Sequence, residues 1–473
     1  MSQSAGEKMY FDVVVIGSGP AGQKAAVQAA KAGKSVALIE RDKQLGGACV
    51  YRGTIPSKTL RENALRVKKM RENAALCNFQ LAEDTELATL IDRLNQVLKA
   101  HDGYMVNQIE RNRIKRMHGR ARFMDARTLA VTSLRGEVQE VEAAHIVIAS
   151  GSIPRHPDNM PIDHENIFDS DSILSMLYLP RSLTVLGGGV IASEYASIFQ
   201  ALGVKVTMID RYPLPLGFMD SDLTSRFVAA FQEMGGTWLG EKNVTKVYWD
   251  GLSEVITECE DGTQVKSAKL LCAAGRVANV KDLDIAAAGL TLNSAGNIPV
   301  NEFLQTEIAN IYAAGDVIGP PSLASASMEQ GRRASCNALG IKVGALSTMI
   351  PSGIYGIPEL SSVGITEQAA RKQHGEVLVG RARFEEVSRG QINGIKDGLL
   401  KIICDPQGER ILGVQIVGEG ATELIHIGQM AMLSGSAVDI FVESIFNFPT
   451  LAEAYRVAAL DVIGQRNRRA DIY

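Results

Sequence analysis

The segment Gly46-Gly47-Ala48-Cys49-Val50-Tyr51-Arg52-Gly53-Thr54-Ile55-Pro56-Ser57-Lys58 has the outline of a redox turn with half of its chemistry missing. A cysteine at the position of Thr54 would complete a Cys-x4-Cys pair able to cycle between dithiol and disulfide. A threonine hydroxyl cannot store two electrons. Two glycine-rich turns add a second kind of chemistry. Gly17-Ser18-Gly19-Pro20-Ala21-Gly22 is a full G-x-G-x-x-G: Gly17 permits a tight turn, Gly19 lets backbone approach a pyrophosphate, and Gly22 allows a helix to pack closely on a strand. Gly187-Gly188-Gly189-Val190-Ile191-Ala192 repeats the pattern as G-x-G-x-x-A. An acid follows the last small position of each turn by 18 residues, Glu40 in one case and Asp210 in the other, where it can accept hydrogen bonds from an adenosine ribose. Two such cradles imply two dinucleotides. A hydride carrier alone does not need two, whereas a bound flavin and an exchanging nicotinamide do.

The elements that must position these residues are legible around them. Phe11–Ile16 is a continuous β-branched run of the kind found in a parallel sheet covered on both faces. It precedes a helical stretch, Gln23–Ala30, and a second strand, Ser35–Glu40, which makes a βαβ unit. Leu183–Leu186, the helical Glu194–Ile198 and Val204–Asp210 make another. Beyond about residue 350 the texture changes. Val377–Gly380, Leu399–Ile403 and Ile411–Ile416 read as strands of a further sheet, with helices at Thr422–Leu433 and Thr450–Arg466, an α+β domain after a connector at Thr348–Gly353. A chain of 473 residues is too long for one hydrophobic core, and about three domains are expected.

Composition excludes several classes. Hydrophobic residues are 46% and charged residues 22% of the chain, ordinary for a globular protein, and a net charge of −4 gives no general attraction to nucleic acid or anionic membranes. The basic run Arg111, Arg113, Lys115, Arg116, Arg120, Arg122 lacks interleaved aromatics and reads as a helix end feeding a solvated strand. The six cysteines (Cys49, Cys77, Cys259, Cys272, Cys336, Cys404) are scattered, with no metal-ligand spacing and no disulfide framework, so no metal is expected and a reducing compartment is. The N-terminus carries no apolar signal core and no run approaches a membrane span; a cytoplasmic protein is expected.

Taken together, the motifs resemble the flavoprotein disulfide reductase family over almost the whole chain. Gly46-Gly47-Ala48-Cys49 with Ile55-Pro56-Ser57-Lys58 is similar to its redox turn, and Ile311-Tyr312-Ala313-Ala314-Gly315-Asp316 to its second flavin motif. Ala149-Ser150-Gly151-Ser152 and Ala274-Gly275-Arg276 are similar to its two inter-domain crossings. The resemblance implies an α/β fold with two Rossmann-like dinucleotide-binding domains, for FAD and NAD(P), and a C-terminal α+β dimerisation domain. It orders the chain as FAD-binding (1–152), NAD(P)-binding (153–273), FAD-binding again (274–349) and dimerisation (350–473). It also implies that Glu40 holds the adenosine ribose and Asp316 the ribityl chain of FAD, with Gly47, Cys49, Thr54 and Gly315 beside the flavin and Gly275 at the nicotinamide crossing. The protein would be a homodimer or higher homo-oligomer, with Phe448 lining a composite site.

Departures from the family pattern select a branch. Thr54 replaces the second cysteine, and in Phe446-Asn447-Phe448-Pro449-Thr450 a phenylalanine stands where disulfide reductases have a histidine, while Glu453 remains. These changes, with Gly353-Ile354-Tyr355, Ile425-His426-Ile427-Gly428-Gln429 and Ala454–Leu460, resemble the Si-specific soluble transhydrogenase branch. Electrons could then leave only as they entered, as hydride: NADPH gives it up, NADP⁺ departs and NAD⁺ takes it, a ping-pong cycle. Lys58 would sit by the flavin edge, where a fixed ammonium favours an electron-rich ring, and pair with Glu194. Asp210 suits NAD(H), and the adjacent Arg211 is either a solvated loop residue or a partner for the 2′-phosphate of NADP(H). Cys49 is either a structural remnant or a redox thiol, as a sulfenic acid or paired with Cys77. The competing functions are a quinone or dye reductase, an NADH oxidase, and a flavin-binding scaffold without activity.

Overall fold

Apolar runs without polar interruption become the central strands. The computed structural model describes residues 8–77 and 87–470. Its first strand, β1 (Met9–Ile16), is followed by α1 (Pro20–Lys31), the fully buried β2 (Val36–Glu40), α2 (Gly47–Tyr51), α3 (Thr54–Cys77) and α4 (Leu87–Arg111). Then come β3 (Lys115–His118), β4 (Arg120–Phe123), β5 (Thr128–Thr132) and β6 (Val138–Ile148), giving the sheet order β3-β2-β1-β6-β5-β4. β1 runs parallel to both β2 and β6. The chain leaves β1 toward one side and fills the other side later, so the end of β1 is a topological switch point, where α/β sheets bind ligands. The basic run spans the end of α4 and continues along β3 and β4, where two of its charges are answered within the chain: Arg120 pairs with Asp282 at 2.8 Å and Arg122 with Asp284 at 3.8 Å.

A second unit is inserted next. It comprises β7 (Ser152–Pro154), β8 (Ile167–Asp169), β9 (Ser182–Leu186), α5 (Val190–Ala201), β10 (Lys205–Ile209), α6 (Ser221–Glu233), β11 (Thr237–Leu239), the antiparallel ribbon β12 (Val244–Trp249), β13 (Val255–Cys259) and β14 (Gln264–Ser267), and β15 (Lys269–Cys272). The order β11-β10-β9-β15-β8 is parallel throughout and puts β9 where β1 stands in the first sheet. The return strand β16 (Arg276–Ala278) pairs antiparallel with β7, so the outgoing and returning chains lie side by side. β17 (Ile311–Ala313) then joins β6 in parallel, and α7 (Ala324–Ala338) packs on α1 so closely that a Cβ on Gly331 would meet Ala21 O at 1.9 Å.

The remainder is α+β: β18 (Ser352–Ile354), β19 (Leu360–Gly364), α8 (Glu367–His374), β20 (Leu378–Arg383), α9 (Ser388–Asn393), β21 (Leu399–Cys404), β22 (Ile411–Val417), α10 (Ala421–Leu433), α11 (Ile440–Glu443) and α12 (Glu453–Ala470). Its antiparallel sheet, β18-β19-β22-β21-β20, is covered by α10 and α12 through Ile402, Val414, Ile425, Tyr455 and Ala458. Tyr455 is fully buried with its hydroxyl satisfied, accepting from Gly428 N at 3.1 Å and donating to Leu424 O at 2.8 Å. The fold is thus α/β, two Rossmann-like units followed by an α+β domain.

Local differences from the sequence reading have simple causes. The helix carrying Lys58 opens at Thr54 and holds Pro56 in its first turn, where the missing proline N–H has no intrahelical partner to lose. The last helix starts at Glu453 rather than Thr450. β18, β19 and the β12–β14 ribbon are short or polar and carry no long apolar run to announce them.

Candidate active site

A cavity of 1390 Å³ opens at the C-terminal end of β1, larger than the ~300–1000 Å³ of most small-molecule sites. Gly17, Gly19, Glu40, Gly47, Cys49, Thr54, Lys58, Glu194, Gly315 and Asp316 all stand in its wall. Gly187, Gly189, Asp210, Arg211 and Gly275 do not; the second turn reaches the cavity only through Val190 and Ile191.

The first glycine turn is shaped by contact with the neighbouring crossing. Gly17 has φ +100°, and a Cβ there would lie 2.3 Å from Ala149 O; one on Gly22 would lie 1.8 Å from Gly17 O. Gly19 is the opposite case: a Cβ would meet nothing within 4 Å. It caps α1 without a side-chain hydrogen bond, leaving the first-turn N–H groups without a side-chain acceptor from the cap. Glu40 closes the turn from below. Its Oε2 accepts from Ser18 N at 2.9 Å and from Ser18 Oγ at 2.6 Å, its Oε1 accepts from Asp42 N at 2.9 Å, and Ser18 Oγ accepts from Gly46 N at 3.0 Å. Carboxylate oxygens keep further lone pairs for a ligand. Ser150 Oγ, in the same wall, has no protein partner.

Cys49 lies inside the short helix α2, with Thr54 opening α3. Burial pushes the Cys49 thiol up, and the Thr54 side chain and the Lys58 charge only partly oppose this. The Cys77 side chain lies outside the described residues. Lys58 Nζ is 2.7 Å from Glu194 Oε2 and 4.9 Å from the centre of the Tyr355 ring. The other carboxylate oxygen of Glu194 accepts from Tyr355 N at 2.9 Å. One carboxylate on α5 therefore joins α3 of the first unit to the start of the C-terminal domain. Phe448 is 72% exposed and is not part of the cavity wall of its own chain.

Asp316 is reached through a chain of hydrogen bonds that residue types alone did not reveal. Ser152 Oγ donates to Asp316 Oδ2 at 2.7 Å and accepts from Arg276 Nε at 2.9 Å, while Arg276 Nη1 donates to Asp171 Oδ1 at 2.7 Å. Ser152 and Arg276 were visible only as parts of the crossing motifs; Asp171 and the Tyr355 amide gave no signal.

The second turn repeats the geometry of the first. Gly187 has φ +114° and would meet Ala273 O at 2.7 Å, while Gly189, like Gly19, faces open space and caps its helix without a side chain. The third position is Ala192 rather than glycine, and its Cβ would stand 3.8 Å from one placed on Gly187, so the methyl fits. Gly188 is tightly fitted: a Cβ there would meet Asp210 Oδ2 at 2.8 Å. Leu216 N donates to Gly188 O at 2.7 Å, folding the following loop back on the turn.

Two glycine cradles with paired crossings, an ion pair between them and an appended α+β domain define a class. Family models of the pyridine nucleotide-disulphide oxidoreductases match residues 11–331, and of their dimerisation domain residues 350–459; the chain belongs to that family. It is 41% identical over 457 residues, 96% of this chain and 97% of the relative, to the soluble pyridine nucleotide transhydrogenase of Mycobacterium bovis (strain BCG / Pasteur 1173P2). It is 40% identical over 460 residues, 96% and 98% of the two chains, to the protein of the same name from Colwellia psychrerythraea. Among solved structures it is similar to the HOCl-induced flavoprotein disulfide reductase RclA from Escherichia coli, as a Cu(II) complex, with 28% identity, a TM-score of 0.87 and coverage of 95% and 99%. It is also similar to LpdA from Mycobacterium tuberculosis, with 25% identity, a TM-score of 0.87 and coverage of 96% and 99%.

Proposed function

We propose that this protein transfers hydride from NADPH to NAD⁺, and in reverse, by a ping-pong cycle with FAD as resident cofactor: NADPH + NAD⁺ ⇌ NADP⁺ + NADH. The observation that carries the reading is the Lys58–Glu194 pair, 2.7 Å long, inside a cavity where, among the described residues, Cys49 is the only thiol.

The residues present fit FAD. Gly19 and the uncapped start of α1 would hold its pyrophosphate, Glu40 its adenosine ribose and Asp316 its ribityl chain; Gly47, Cys49, Thr54 and Gly315 would line it. Bound there, FAD supplies a ring that accepts the two electrons of a hydride and returns them. Lys58 would set a fixed positive charge beside that ring, its ammonium held by Glu194, whose other oxygen is tied to the Tyr355 amide. Val190 and Ile191 bring the second turn to the same wall, so that Gly187, Gly189 and Gly275 would seat the pyrophosphate and crossing of whichever nicotinamide is present. Asp210 would receive the ribose hydroxyls of NAD(H) and Arg211 the 2′-phosphate of NADP(H). Thr54 offers no thiol, so a disulfide outlet through this turn is closed. No helix among the described residues is long and apolar enough to cross a membrane; we place the enzyme in the cytoplasm, as a homodimer without a nucleic-acid partner.

The test is an anaerobic assay of the purified, flavin-containing protein with NADPH and thio-NAD⁺. Turnover without another acceptor is expected. Activity that appears only with a quinone, dye or oxygen would make it a diaphorase or oxidase instead, and a flavin spectrum that NADPH fails to bleach in stopped flow would leave only a scaffold.

A further inference from the structure

The loop after β10 holds a guanidinium that avoids its nearest carboxylate. Arg211 follows Asp210 directly and is exposed, yet among the described residues it forms no ion pair. Its guanidinium carbon lies 4.9 Å from the centre of the Tyr212 ring, and Nη2 donates to Tyr212 Oη at 3.1 Å. The backbone of the same tyrosine fixes the acid, with Tyr212 N donating to Asp210 Oδ1 at 3.0 Å. Tyr212 is itself anchored: its carbonyl accepts from Glu241 N at 3.2 Å, and the carbonyl of the next residue, Pro213, accepts from Trp238 Nε1 at 2.9 Å.

We propose that Tyr212 is a specificity-determining residue of the nicotinamide site, parking Arg211 on its ring so that Asp210 stays open to the ribose hydroxyls of NAD(H), and releasing Arg211 when a 2′-phosphate arrives. This rests on the reading of Asp210 and Arg211 given above. An adjacent Asp–Arg pair left to itself would close on itself and withdraw the carboxylate. An exposed cation–π contact biases such an equilibrium about two- to fivefold. That is enough to hold the guanidinium aside, and weaker than its charge-assisted hydrogen bonds to a phosphate. A carboxylate in place of the ring would compete with the phosphate more strongly. The arrangement lets one loop serve both nucleotides.

The test compares KM for NADH and NADPH in Y212A, Y212F, R211A and the Y212A/R211A double variant, each at normal flavin content. In Y212A the ratio KM(NADH)/KM(NADPH) is expected to rise about two- to fivefold, while Y212F, which keeps the ring, shifts it less. Adding Y212A to R211A should leave the ratio where R211A put it. An unchanged ratio in Y212A, or an equal loss for both nucleotides, overturns the parking role. If R211A itself weakens NADH and NADPH alike, the reading of Arg211 as the phosphate partner fails instead; if R211A is selective and Y212A is not, only the present proposal falls.

Discussion

Cys49 is the residue that most invites a redox role, and its surroundings argue against one. Reactive thiols sit in places that favour the thiolate; here burial dominates and favours the thiol. Cys49→Ser is therefore expected to retain flavin and most transhydrogenase turnover, and a loss beyond about a hundredfold in kcat/KM would refute this. Lys58→Met should behave in the opposite way. With flavin still bound, its reduction by NADPH in stopped flow is expected to slow by about 10²–10³, the usual loss when one preorganised electrostatic contact is removed. These side chains were legible because thiol, hydroxyl, amine and carboxylate carry their chemistry in their names. The Tyr355 amide was not, since every residue offers an N–H, and Arg276 meets Ser152 and Asp171 only after the chain has travelled more than a hundred residues.

The two glycine turns are alike as elements and separable by substitution. Gly17→Ala would place a methyl 2.3 Å from Ala149 O at a left-handed φ, and is expected to abolish flavin binding, read from the visible spectrum of the purified protein. Gly188→Ala would push against the Asp210 carboxylate. It should leave flavin content intact and raise KM for NADH about tenfold or more, the loss of one well-formed charged hydrogen-bond site, with a smaller rise for NADPH. Turns of this kind announce themselves, because only glycine tolerates such approach. The start of α3 at Thr54 and the brief strands β18 and β19 did not, being decided by packing rather than by any apolar period.

At the scale of the molecule, the inserted unit is fastened to the C-terminal domain by charge. Lys401 is 2% exposed, and its ammonium meets Asp220 at 3.0 Å, Asp222 at 3.0 Å and Glu367 at 2.8 Å. Lys401→Met would leave those carboxylates facing one another without their cation and is expected to cost about 3–5 kcal/mol of stability in denaturant titration. Burial raises the Glu367 pKa, but hydrogen bonds from Lys401 and Arg371 and the charges of Lys401 and Arg381 outweigh it and lower the value to about 2. A depressed carboxylate contributes its full share above its unfolded value, near 4.5, and loses it as pH falls from there through about 2. Glu367→Gln should accordingly flatten the acid limb of the stability profile. The presence of separate units could be read from sequence length and repeated motifs; this fastening could not, because its members come from α6, α8 and β21.

Glu194 gives the molecule a built-in gauge. Both of its oxygens are engaged from outside its own unit, one by Lys58 and one by the Tyr355 amide, so a swing of the inserted unit would break two contacts together. The Tyr355 amide proton should exchange slowly with deuterium while the carboxylate is seated and quickly whenever that lobe lifts. Followed as NADP⁺ is titrated in, this single proton would time opening and closing with no label added to the protein.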